Sequence, residues 1–343
     1  MKCRKCSTPA VINMRHHKLA LCGEHYSEWF VNSTQRAIEK YKMFKPDANI
    51  LVAVSGGKDS LALWDVLARL GYKADGLYIG LGIQGEIDYS DQSLACIRNF
   101  AQQNVPNAQL HVVDIAETYG KTIPEISRAS TRGHGKPCSA CGLTKRYVMN
   151  RLAAERGYDV LATGHNLDDE AAVLMQNTLH WQTGYLARQA PVLEASDGLA
   201  KKVKPFCRFY ERETATYAVV RNIEYVYDEC PHAVGNLTNF YKTLLNQLEA
   251  ESPGAKLSFY VEFLKARQAG FFQAPADKSN LHACEVCGQP TTAPGRCAFC
   301  RMWNITAASG GALISPDAIA VRGDDAFDDV ETRVAETVDV SGL

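Results

Sequence analysis

The stretch ILVAVSGGKDS, residues 50–60, decides the fold, because five apolar residues lead directly into a polar loop with two glycines. An apolar run of this length predicts a buried β-strand. The glycines allow a tight turn, and a helix starting near Lys58 would direct its free amide groups and positive dipole end to the same point. We therefore interpret the loop as a phosphate-binding site in preference to an ordinary glycine turn. It is not a Walker A loop, which has four residues between its glycines and ends in Lys-Ser or Lys-Thr.

This strand is the first of several that alternate with helices. The pattern predicts strands at 50–54, 74–80, 109–114 and 158–163, and helices at 59–70, 89–103, 143–156 and 167–180. Strands separated by helices form a parallel sheet whose ligands lie beyond the carboxyl ends of the strands. SGGKDS and the segment GHNLDDEA (residues 164–171) both lie at such ends. We therefore expect an α/β fold with a nucleotide site at this edge of a parallel sheet.

Around this sheet the sequence divides into five parts. They are a cysteine-histidine module at 1–27, a catalytic domain at 28–235, a helical extension at 236–280, a second cysteine module at 281–303 and an acidic tail at 304–343. Helical patterns occur at 28–45, 212–250 and 257–268. The tail is rich in Gly, Ser, Ala and Asp, so we expect it to be disordered.

The charge is unevenly distributed along the 343 residues, whose formal net charge is −1. Residues 311–343 contain two basic and eight acidic residues and carry −6, which leaves +5, from 35 basic and 30 acidic residues, on the rest. A mildly basic body is compatible with a nucleic-acid partner. No apolar run approaches the roughly 20 residues that span a bilayer. The N-terminal MKCRKC has no apolar stretch behind its charges. We therefore expect a cytoplasmic protein that does not contact membranes.

Twelve cysteines in a chain expected in a reducing compartment indicate metal ligands or catalysts in preference to disulfides. Two groups have the spacing of zinc sites, in which two closely spaced pairs of ligands complete a tetrahedral coordination. These groups are Cys3, Cys6, Cys22 and His25 near the N-terminus, and Cys284, Cys287, Cys297 and Cys300 near the C-terminus. His16 and His17 are rival ligands in the first module, although His25 has the better spacing. Because 27 residues bury little core, the metal would supply much of that module's folding energy.

A further pair, Cys138 and Cys141 in PCSACG, has no second pair nearby, and the next thiols downstream are Cys207 and Cys230. Three thiolates around a metal leave one position open for chemistry, and soft thiolates suit an iron–sulfur cluster or zinc. A redox dithiol formed by Cys138 and Cys141 explains the spacing equally well. The spacing alone leaves these alternatives open.

Several motifs together resemble those of tRNA 2-thiouridine synthetases of the TtuA type, in the PP-loop ATP pyrophosphatase superfamily. The motifs are CRKC (3–6) with CGEH (22–25), SGGKDS (55–60), KPCSACGLTKR (136–146), ATGHNLDDEA (162–171), DECPH (228–232) and the terminal CxxC pair. SGGKDS alone indicates only the superfamily, but the combination spans about residues 1–303 and is much more specific. The resemblance implies a sheet domain like that of the adenine nucleotide alpha hydrolases, with a zinc finger on each flank. It also implies ATP, Mg²⁺, two Zn²⁺ and a [4Fe–4S] cluster held by Cys138, Cys141 and Cys230, with Cys207 outside the matching motif.

The loop chemistry and the resemblance together assign roles to individual residues. The nucleotide-binding residues are Ser55, Gly56, Gly57, Lys58, Asp59, Ser60, Tyr78, Ile79, Gly164 and His165. The catalytic residues are Asp59, Lys145 and Asp169, together with the three cysteines. Asp59 and Asp169 are candidate Mg²⁺ ligands, and Lys145 would neutralise charge on the α-phosphate. The competing interpretations are that Lys145 and Arg146 are solvated helix positions, that residues 168–170 are an acidic first turn and that His165 is structural.

The implied reaction is 2-thiolation of a tRNA uridine, in which ATP adenylates the C2 oxygen, pyrophosphate leaves and sulfur replaces the oxygen. The resemblance implies a ubiquitin-like thiocarboxylate carrier as the sulfur donor and a homodimer, for which residues 236–268 would supply apolar side chains. We expect tRNA phosphates to contact residues 201–204 (KKVK), Arg208, Arg212 and the basic N-terminal finger. Both the T-loop uridine and the wobble uridine are open as targets.

Three alternatives differ in chemistry. A PP-loop enzyme can use the same adenylation with a nitrogen nucleophile, which needs no cysteines at the cleft. Thiolation can also proceed through cysteine persulfides without a cluster. The third alternative is a zinc-finger RNA-binding protein with a degenerate nucleotide fold, which the intact SGGKDS disfavours.

Overall fold

The computed structural model describes residues 1–84, 89–132, 137–196, 198–228, 230–233, 237–272 and 281–306. The acidic tail expected at 304–343 therefore lies almost entirely outside the described residues. The chain begins with a hairpin of two antiparallel strands, β1 (Ile12–Met14) and β2 (Leu19–Leu21), joined by a 3-10 helix at Arg15–His17. Helix α1 (Gly23–Lys40) follows and starts five residues before the helix predicted at 28–45.

The central domain alternates strands and helices, as the sequence predicts. Its elements are β3 (Asn49–Ala53), α2 (Lys58–Arg69), β4 (Lys73–Gly80), α3 (Tyr89–Asn104), β5 (Leu110–Asp114), α4 (Ile115–Tyr119), α5 (Ile123–Ala129), α6 (Pro137–Glu155), β6 (Val160–Thr163), α7 (Leu167–Leu179), α8 (Thr183–Arg188), β7 (Val192–Leu193), β8 (Lys201–Val203) and α9 (Glu211–Val220). The strands β7 and β8 are not predicted from the sequence, because each is too short to show a pattern.

The C-terminal part contains helices and a small hairpin. Its elements are a 3-10 helix at Pro231–Ala233, α10 (Leu237–Glu251), α11 (Ala255–Gln268), β9 (His282–Ala283), β10 (Pro290–Thr291) and α12 (Ala298–Met302). The continuous helix predicted for 212–250 is wrong, because α9 ends at Val220 and Asn222 adopts the left-handed conformation with φ of 52°. None of the helices in the described part of the chain is long and apolar enough to cross a membrane.

The strands form one six-stranded sheet in the order β5-β4-β3-β6-β8-β7. The first five strands in this order are parallel, and β7 is an antiparallel edge strand. The order reverses direction between β3 and β6, and ligands of doubly wound sheets lie at such a switch point. SGGKDS follows β3 and GHNLDDEA follows β6, so the topology brings the two motifs together as predicted.

Helices cover both faces of the sheet, and each face has its own apolar core. On one face, Phe30, Trp64, Phe206 and Tyr217 are completely buried among side chains of α1, α2 and α9. On the other face, α5, α6 and the C-terminal module pack on the sheet around Val148. The predicted α/β fold with a parallel sheet is therefore confirmed.

Helices α10 and α11 pack against α7 within the same chain. Tyr241 and Leu245 of α10 are buried against Ala171 and Ala172 of α7. Of the apolar side chains expected to serve a dimer, most are used in this packing, whereas Phe240 is 57% exposed. The homodimer remains an expectation.

Candidate active site

The loop after β3 is shaped to leave backbone amides free. Gly56 has φ of +82°, and a Cβ at this position would lie 3.2 Å from the backbone of Ser93. The Ser60 hydroxyl donates to the Gly57 carbonyl oxygen at 2.9 Å and accepts from the Ser55 amide at 3.1 Å, which fixes the turn. Gly57 is the N-cap of α2, and no side chain among the described residues caps this helix end. The first amides of α2 therefore suit a phosphate.

Charged side chains form a run of ion pairs beside this loop. The Lys58 Nζ lies 2.8 Å from Glu211 Oε1 and 3.2 Å from Asp59 Oδ2. The Lys242 Nζ on α10 lies 2.6 Å from Asp169 Oδ1 and 3.2 Å from Glu211 Oε2. Burial would raise the pKa of Glu211, but Lys242 and Lys58 hold it below its ordinary value. Lys58 is thus held by carboxylates beside the loop.

Asp59 is fixed by groups from three elements. The Asn166 Nδ2 and the Thr214 hydroxyl both donate to Asp59 Oδ1, the former at 3.2 Å. Burial raises the pKa of Asp59, although Lys58 opposes this. Gly164 makes the close approach possible, because a Cβ there would lie 2.8 Å from the Asp59 carbonyl oxygen. Asp59, Asn166 and Thr214 therefore hold the switch point together.

Asp169 serves both the helix and the cleft. The Asn166 side chain accepts from the Asp169 amide at 3.2 Å, and Asp169 Oδ2 accepts from the Asn166 amide at 3.0 Å, which makes a capping box at the start of α7. The second oxygen, Oδ1, pairs with Lys242. The neighbouring Asp168 is buried and pairs with Lys256 Nζ at 2.6 Å. Asp168 is thus a structural residue, whereas Asp169 directs one oxygen to Lys242 on the cleft side.

A pocket beside the loop has the position expected for an adenine ring. Its lining includes Leu77, Tyr78 and Ile79 on β4, as the resemblance implied, and Ser55 of the loop. Lys145 lines the same pocket. His165, also predicted for nucleotide binding, is exposed, accepts or donates a hydrogen bond at 2.8 Å with the Thr163 hydroxyl and does not line this pocket.

The cysteines and Lys145 share one face of α6. This helix starts at Pro137 and not at 143 as predicted, so Cys138, Cys141 and Lys145 are spaced by three and four residues and lie on one side. The Cys138 Sγ lies 3.5 Å from the His232 carbonyl oxygen, which brings the segment after Cys230 onto α6. Burial raises the pKa of Cys141, and Lys145 opposes this. The three predicted cluster ligands and Lys145 therefore face a common region.

The three thiols fit a group larger than one ion. All are free, with Cys138 exposed and Cys141 and Cys230 half-buried. In the described ranges they are not among the groups whose ligand atoms all lie within 4.8 Å of one another. Cysteine thiolates are the usual ligands of four-iron clusters, and three of them leave one iron open.

The two terminal groups, in contrast, have the dimensions of single-ion sites. A tetrahedral zinc with Zn–S bonds of about 2.3 Å places its sulfurs about 3.8 Å apart. In the C-terminal module, Cys284 and Cys300 are 3.9 Å apart and Cys287 and Cys297 are 3.8 Å apart. In the N-terminal module the ligand atoms of Cys3, Cys6, Cys22 and His25 also lie within 4.8 Å of one another. The rivals His16 and His17 are not in this group and lie beside Glu213.

The N-terminal module supports the wall of the cleft formed by α9. The Tyr26 hydroxyl donates to the Glu213 carbonyl oxygen at 2.7 Å, and His16 Nε2 lies 3.1 Å from Glu213 Oε1. Both groups are buried. Because α9 also carries Glu211 and Thr214, this module positions the partners of Lys58 and Asp59.

The C-terminal module supports the opposite wall, α6. The rings of Phe299 and Tyr147 stack at 3.5 Å with an interplanar angle of 4°. The Trp303 indole donates to the Thr144 hydroxyl at 3.2 Å, and Arg151 donates to the Cys287 carbonyl oxygen at 2.9 Å. Thr144 and Tyr147 flank Lys145 in sequence, so this module positions the helix of Cys138 and Cys141.

Several site residues are not predicted from the sequence as parts of the site. Glu211 and Thr214 contact the nucleotide loop from more than 150 residues away, and Lys242 joins them through Glu211; none of the three carries a local signal. Asn166 does carry a local sequence signal, because an Asn three residues before an Asp at a helix start indicates a capping box.

A parallel sheet with a glycine loop at its switch point is typical of nucleotide-binding α/β proteins. In agreement, residues 30–242 match the family model described as a PP-loop domain. Residues 2–27 match the model described as the N-terminal LIM domain of the 2-thiouridine synthetase TtuA. The chain belongs to the TtuA family of PP-loop sulfurtransferases.

Relatives from three organisms extend this likeness over most of the chain. A Thermus thermophilus protein named tRNA-5-methyluridine(54) 2-sulfurtransferase is 51% identical over 89% of this chain and 91% of its own length. A Pyrococcus horikoshii protein of the same name is 42% identical over 89% and 94%. The cytoplasmic tRNA 2-thiolation protein 1 of Chlamydomonas reinhardtii is 31% identical over 85% and 81%.

One solved structure has the same fold. It is the U34-tRNA thiolase NcsA from Methanococcus maripaludis with its [4Fe-4S] cluster, which matches with a TM-score of 0.71 over 89% of this chain and 96% of that one. At 22% identity, this likeness concerns the fold.

Proposed function

We propose that the chain is an ATP-dependent sulfurtransferase that converts 5-methyluridine at position 54 of tRNA into its 2-thio form. Relatives that carry this activity in their names are 42% to 51% identical, whereas the thiolation protein 1 of C. reinhardtii is 31% identical. The observation that carries the proposal is the position of Lys145. It lies on the same helix face as Cys138 and Cys141 and also lines the pocket next to the nucleotide loop.

Oxide is a poor leaving group, so the C2 oxygen of the uridine must first be activated. The oxygen attacks the α-phosphorus of ATP, pyrophosphate leaves and an adenylated uridine forms. The amides of Gly56 and Gly57 and the first turn of α2 hold the phosphates, while Lys58 and Lys145 neutralise charge that develops on them. Sulfur at the oxidation level of sulfide then adds to C2, and the C–O bond breaks to release AMP. The net reaction consumes ATP and sulfide and yields AMP and pyrophosphate.

Asp59 and Asp169 are the proposed Mg²⁺ ligands. Both are carboxylates, which hard cations prefer, and Asn166 contacts both of them. Each carboxylate is also held by a further contact: Asp59 accepts a hydrogen bond from Thr214, and Asp169 caps the start of α7. The metal would replace Lys58 and Lys242 as the counter-charge of these carboxylates.

Cys138, Cys141 and Cys230 would hold the [4Fe–4S] cluster, which when bound supplies one iron without a protein ligand for binding of sulfide. The thiols themselves would anchor it, with Cys141 and Cys230 half-buried and Cys138 on the exposed side. The two terminal groups would each hold a structural Zn²⁺. We further propose tRNA as substrate, a thiocarboxylate carrier as sulfur donor, a homodimer and a cytoplasmic location.

Mass spectrometry of nucleosides from bulk tRNA, with and without the gene, tests the proposal. We expect loss of 5-methyl-2-thiouridine alone, with wobble 2-thiouridines unchanged. Loss of a wobble species would move the target to position 34. An unchanged profile would refute thiolation and favour a nitrogen nucleophile for the same adenylation.

A further inference from the structure

Besides Lys145, three cations beside the cysteine cleft have no carboxylate partner among the described residues. They are Arg132, which follows α5, Arg146 on α6 and Lys202 on β8, and we call them the basic cluster. Two lysines near Lys202 are paired, by contrast: Lys201 lies 3.2 Å from Glu194 and Lys204 lies 2.7 Å from Glu170. Of the lysines in the KKVK stretch expected to contact tRNA, only Lys202 is therefore available for an anion.

The sheet directs Lys202 towards α6. Lys202 pairs in register with Leu161, which belongs to the core beneath α6. The next residue, Val203, belongs to the core on the opposite face. Successive side chains of a strand point to opposite faces, so Lys202 shares the face of Leu161 and α6.

Arg146 lies directly beside the proposed cluster ligands. Its guanidinium rests against the preceding turn of α6, because a Cβ at Gly142 would be 3.2 Å from Arg146 Nη1. Gly142 follows Cys141 in the chain. The Nε of Arg132 is buried and has no hydrogen-bond partner in the described part of the structure. A buried, unpaired guanidinium nitrogen is costly unless a ligand satisfies it.

Burial and mutual repulsion both act on the pKa values of the basic cluster. Partial burial lowers the pKa of Arg146, and Arg132 lowers it further. Burial lowers the pKa of Lys202, and Arg146 adds to this effect. A site that gathers cations at such a cost has the electrostatics of an anion-binding site.

An aromatic side chain borders the basic cluster. Tyr185 on α8 is 59% exposed and close enough to Arg146 to affect it electrostatically. The Arg188 guanidinium lies over the Tyr185 ring, 5.3 Å from its centroid. Cations next to an exposed ring are typical of surfaces that bind the backbone and the splayed bases of RNA.

We propose that the basic cluster binds backbone phosphates of the tRNA next to the target nucleotide and so directs that nucleotide into the cleft of Cys138, Cys141 and Cys230. This inference rests on the proposed function, because it takes tRNA as the substrate. It assigns the tRNA contact to the segment after α5, to α6 and to Lys202 of β8, in place of the paired lysines of the KKVK stretch.

The test is equilibrium binding of an unmodified tRNA transcript to the full chain at several salt concentrations. The variant Arg146→Gln/Lys202→Gln removes two charges from the basic cluster. Each phosphate contact contributes roughly fivefold to eightfold to affinity at 0.1 M salt, so we expect roughly 30-fold weaker binding and a salt slope smaller by about 1.5. The matched control, Lys73→Gln/Arg156→Gln, removes two exposed charges at the opposite edge of the sheet and should bind as the wild type.

A charge-keeping variant, Arg146→Lys/Lys202→Arg, separates charge from structure and should stay within about threefold of the wild type. The inference is wrong if the charge-removing variant keeps wild-type affinity and slope, or if the charge-keeping variant loses as much. ATP affinity, measured in parallel, distinguishes the two sources of phosphate, since an equal loss of ATP binding would assign the basic cluster to the nucleotide. Wild-type protein that does not bind tRNA at all would instead refute the proposed function.

Discussion

The two terminal cysteine modules support opposite walls of one cleft, and they do so by different means. The N-terminal module holds α9 through polar contacts at Glu213, from the Tyr26 hydroxyl and the His16 ring. The C-terminal module holds α6 mainly through the stack of Phe299 on Tyr147. The wall α9 carries the partners of the nucleotide loop, and the wall α6 carries the cysteines. The comparison teaches that each module should affect a different half of the reaction.

Breaking the C-terminal module should have the largest effect. We expect Cys300→Ser to lose one zinc and to loosen α6, because a structural zinc contributes about 10 kcal/mol or more to its module. The variant should also lose its iron, and thiolation should fall by about 1000-fold or more. ATP affinity should fall by a much smaller factor, because α6 contributes Lys145 to the nucleotide pocket but none of the residues of the phosphate loop. Metal analysis and a thiolation assay on the same anaerobic preparation measure this.

Cys96→Ser is the matched control for that variant. Cys96 lies outside all three cysteine groups, and its thiol donates only to the Glu224 carbonyl oxygen, at 3.3 Å. It should keep zinc, iron and activity. Retention of iron and thiolation in Cys300→Ser would contradict the assigned role of the C-terminal module.

Disrupting the N-terminal module should weaken the binding of ATP. In Cys22→Ser, α9 loses its support and Glu211 and Thr214 no longer fix Lys58 and Asp59. We expect the KM for ATP to rise by about tenfold, equivalent to about 1.4 kcal/mol, while iron content stays at the wild-type level. Steady-state kinetics with varied ATP provide the measurement. Loss of iron without a change in the KM for ATP would show that the N-terminal module supports the cysteine wall and not the nucleotide wall.

Lys242 provides a test within the wall of the cleft that carries the partners of the nucleotide loop. Removing its charge in Lys242→Ala leaves Asp169 and Glu211 uncompensated, so Glu211 should hold Lys58 more firmly away from phosphate. We expect kcat/KM for ATP to fall by about tenfold. Lys265→Ala is the control, because Lys265 is exposed on α11 and pairs only with Glu262 among described residues. Equal losses in the two variants would exclude a specific role for Lys242.

The smallest expected effect concerns pH. The pKa of Glu211 is below its ordinary value of about 4.3 in the folded protein, so its ion pairs stabilise the fold above that pH and are lost as pH falls through the lower value. Glu211→Gln should therefore unfold about 2 °C earlier than the wild type at pH 7, and the gap should close towards pH 3. Thermal unfolding at both pH values measures it, and a gap that widens in acid would show the opposite sign.

The parts predicted from the sequence are those encoded locally. The strand and loop at 50–60, the alternation of strands and helices, and the spacing of the terminal cysteines each lie within a few turns of chain. The start of α6 at Pro137 is missed because the pattern of PCSACG is dominated by its cysteines, although Pro is common at the first helical position. The ion pairs of Lys58 with Glu211 and of Lys242 with Asp169 could not be predicted, because only the folded sheet brings these residues together.

The basic cluster illustrates the same limit. The sequence draws attention to KKVK as a run of charge, but the fold pairs Lys201 and Lys204 with carboxylates and turns Lys202 towards α6. Arg132 and Arg146 belong to no comparable run of charge in the sequence and gain significance only by their position in the fold.

The most direct test of the central claim is the metal content of wild-type protein and Cys230→Ser after anaerobic purification. We predict about two zinc and about four iron with matching acid-labile sulfide per wild-type chain, and in the variant the same zinc with most of the iron lost. Two results would contradict a cluster held by Cys138, Cys141 and Cys230, with one open position, between two zinc sites that are closed by four ligands each. One is wild-type protein that thiolates tRNA without iron, and the other is a variant that keeps its iron.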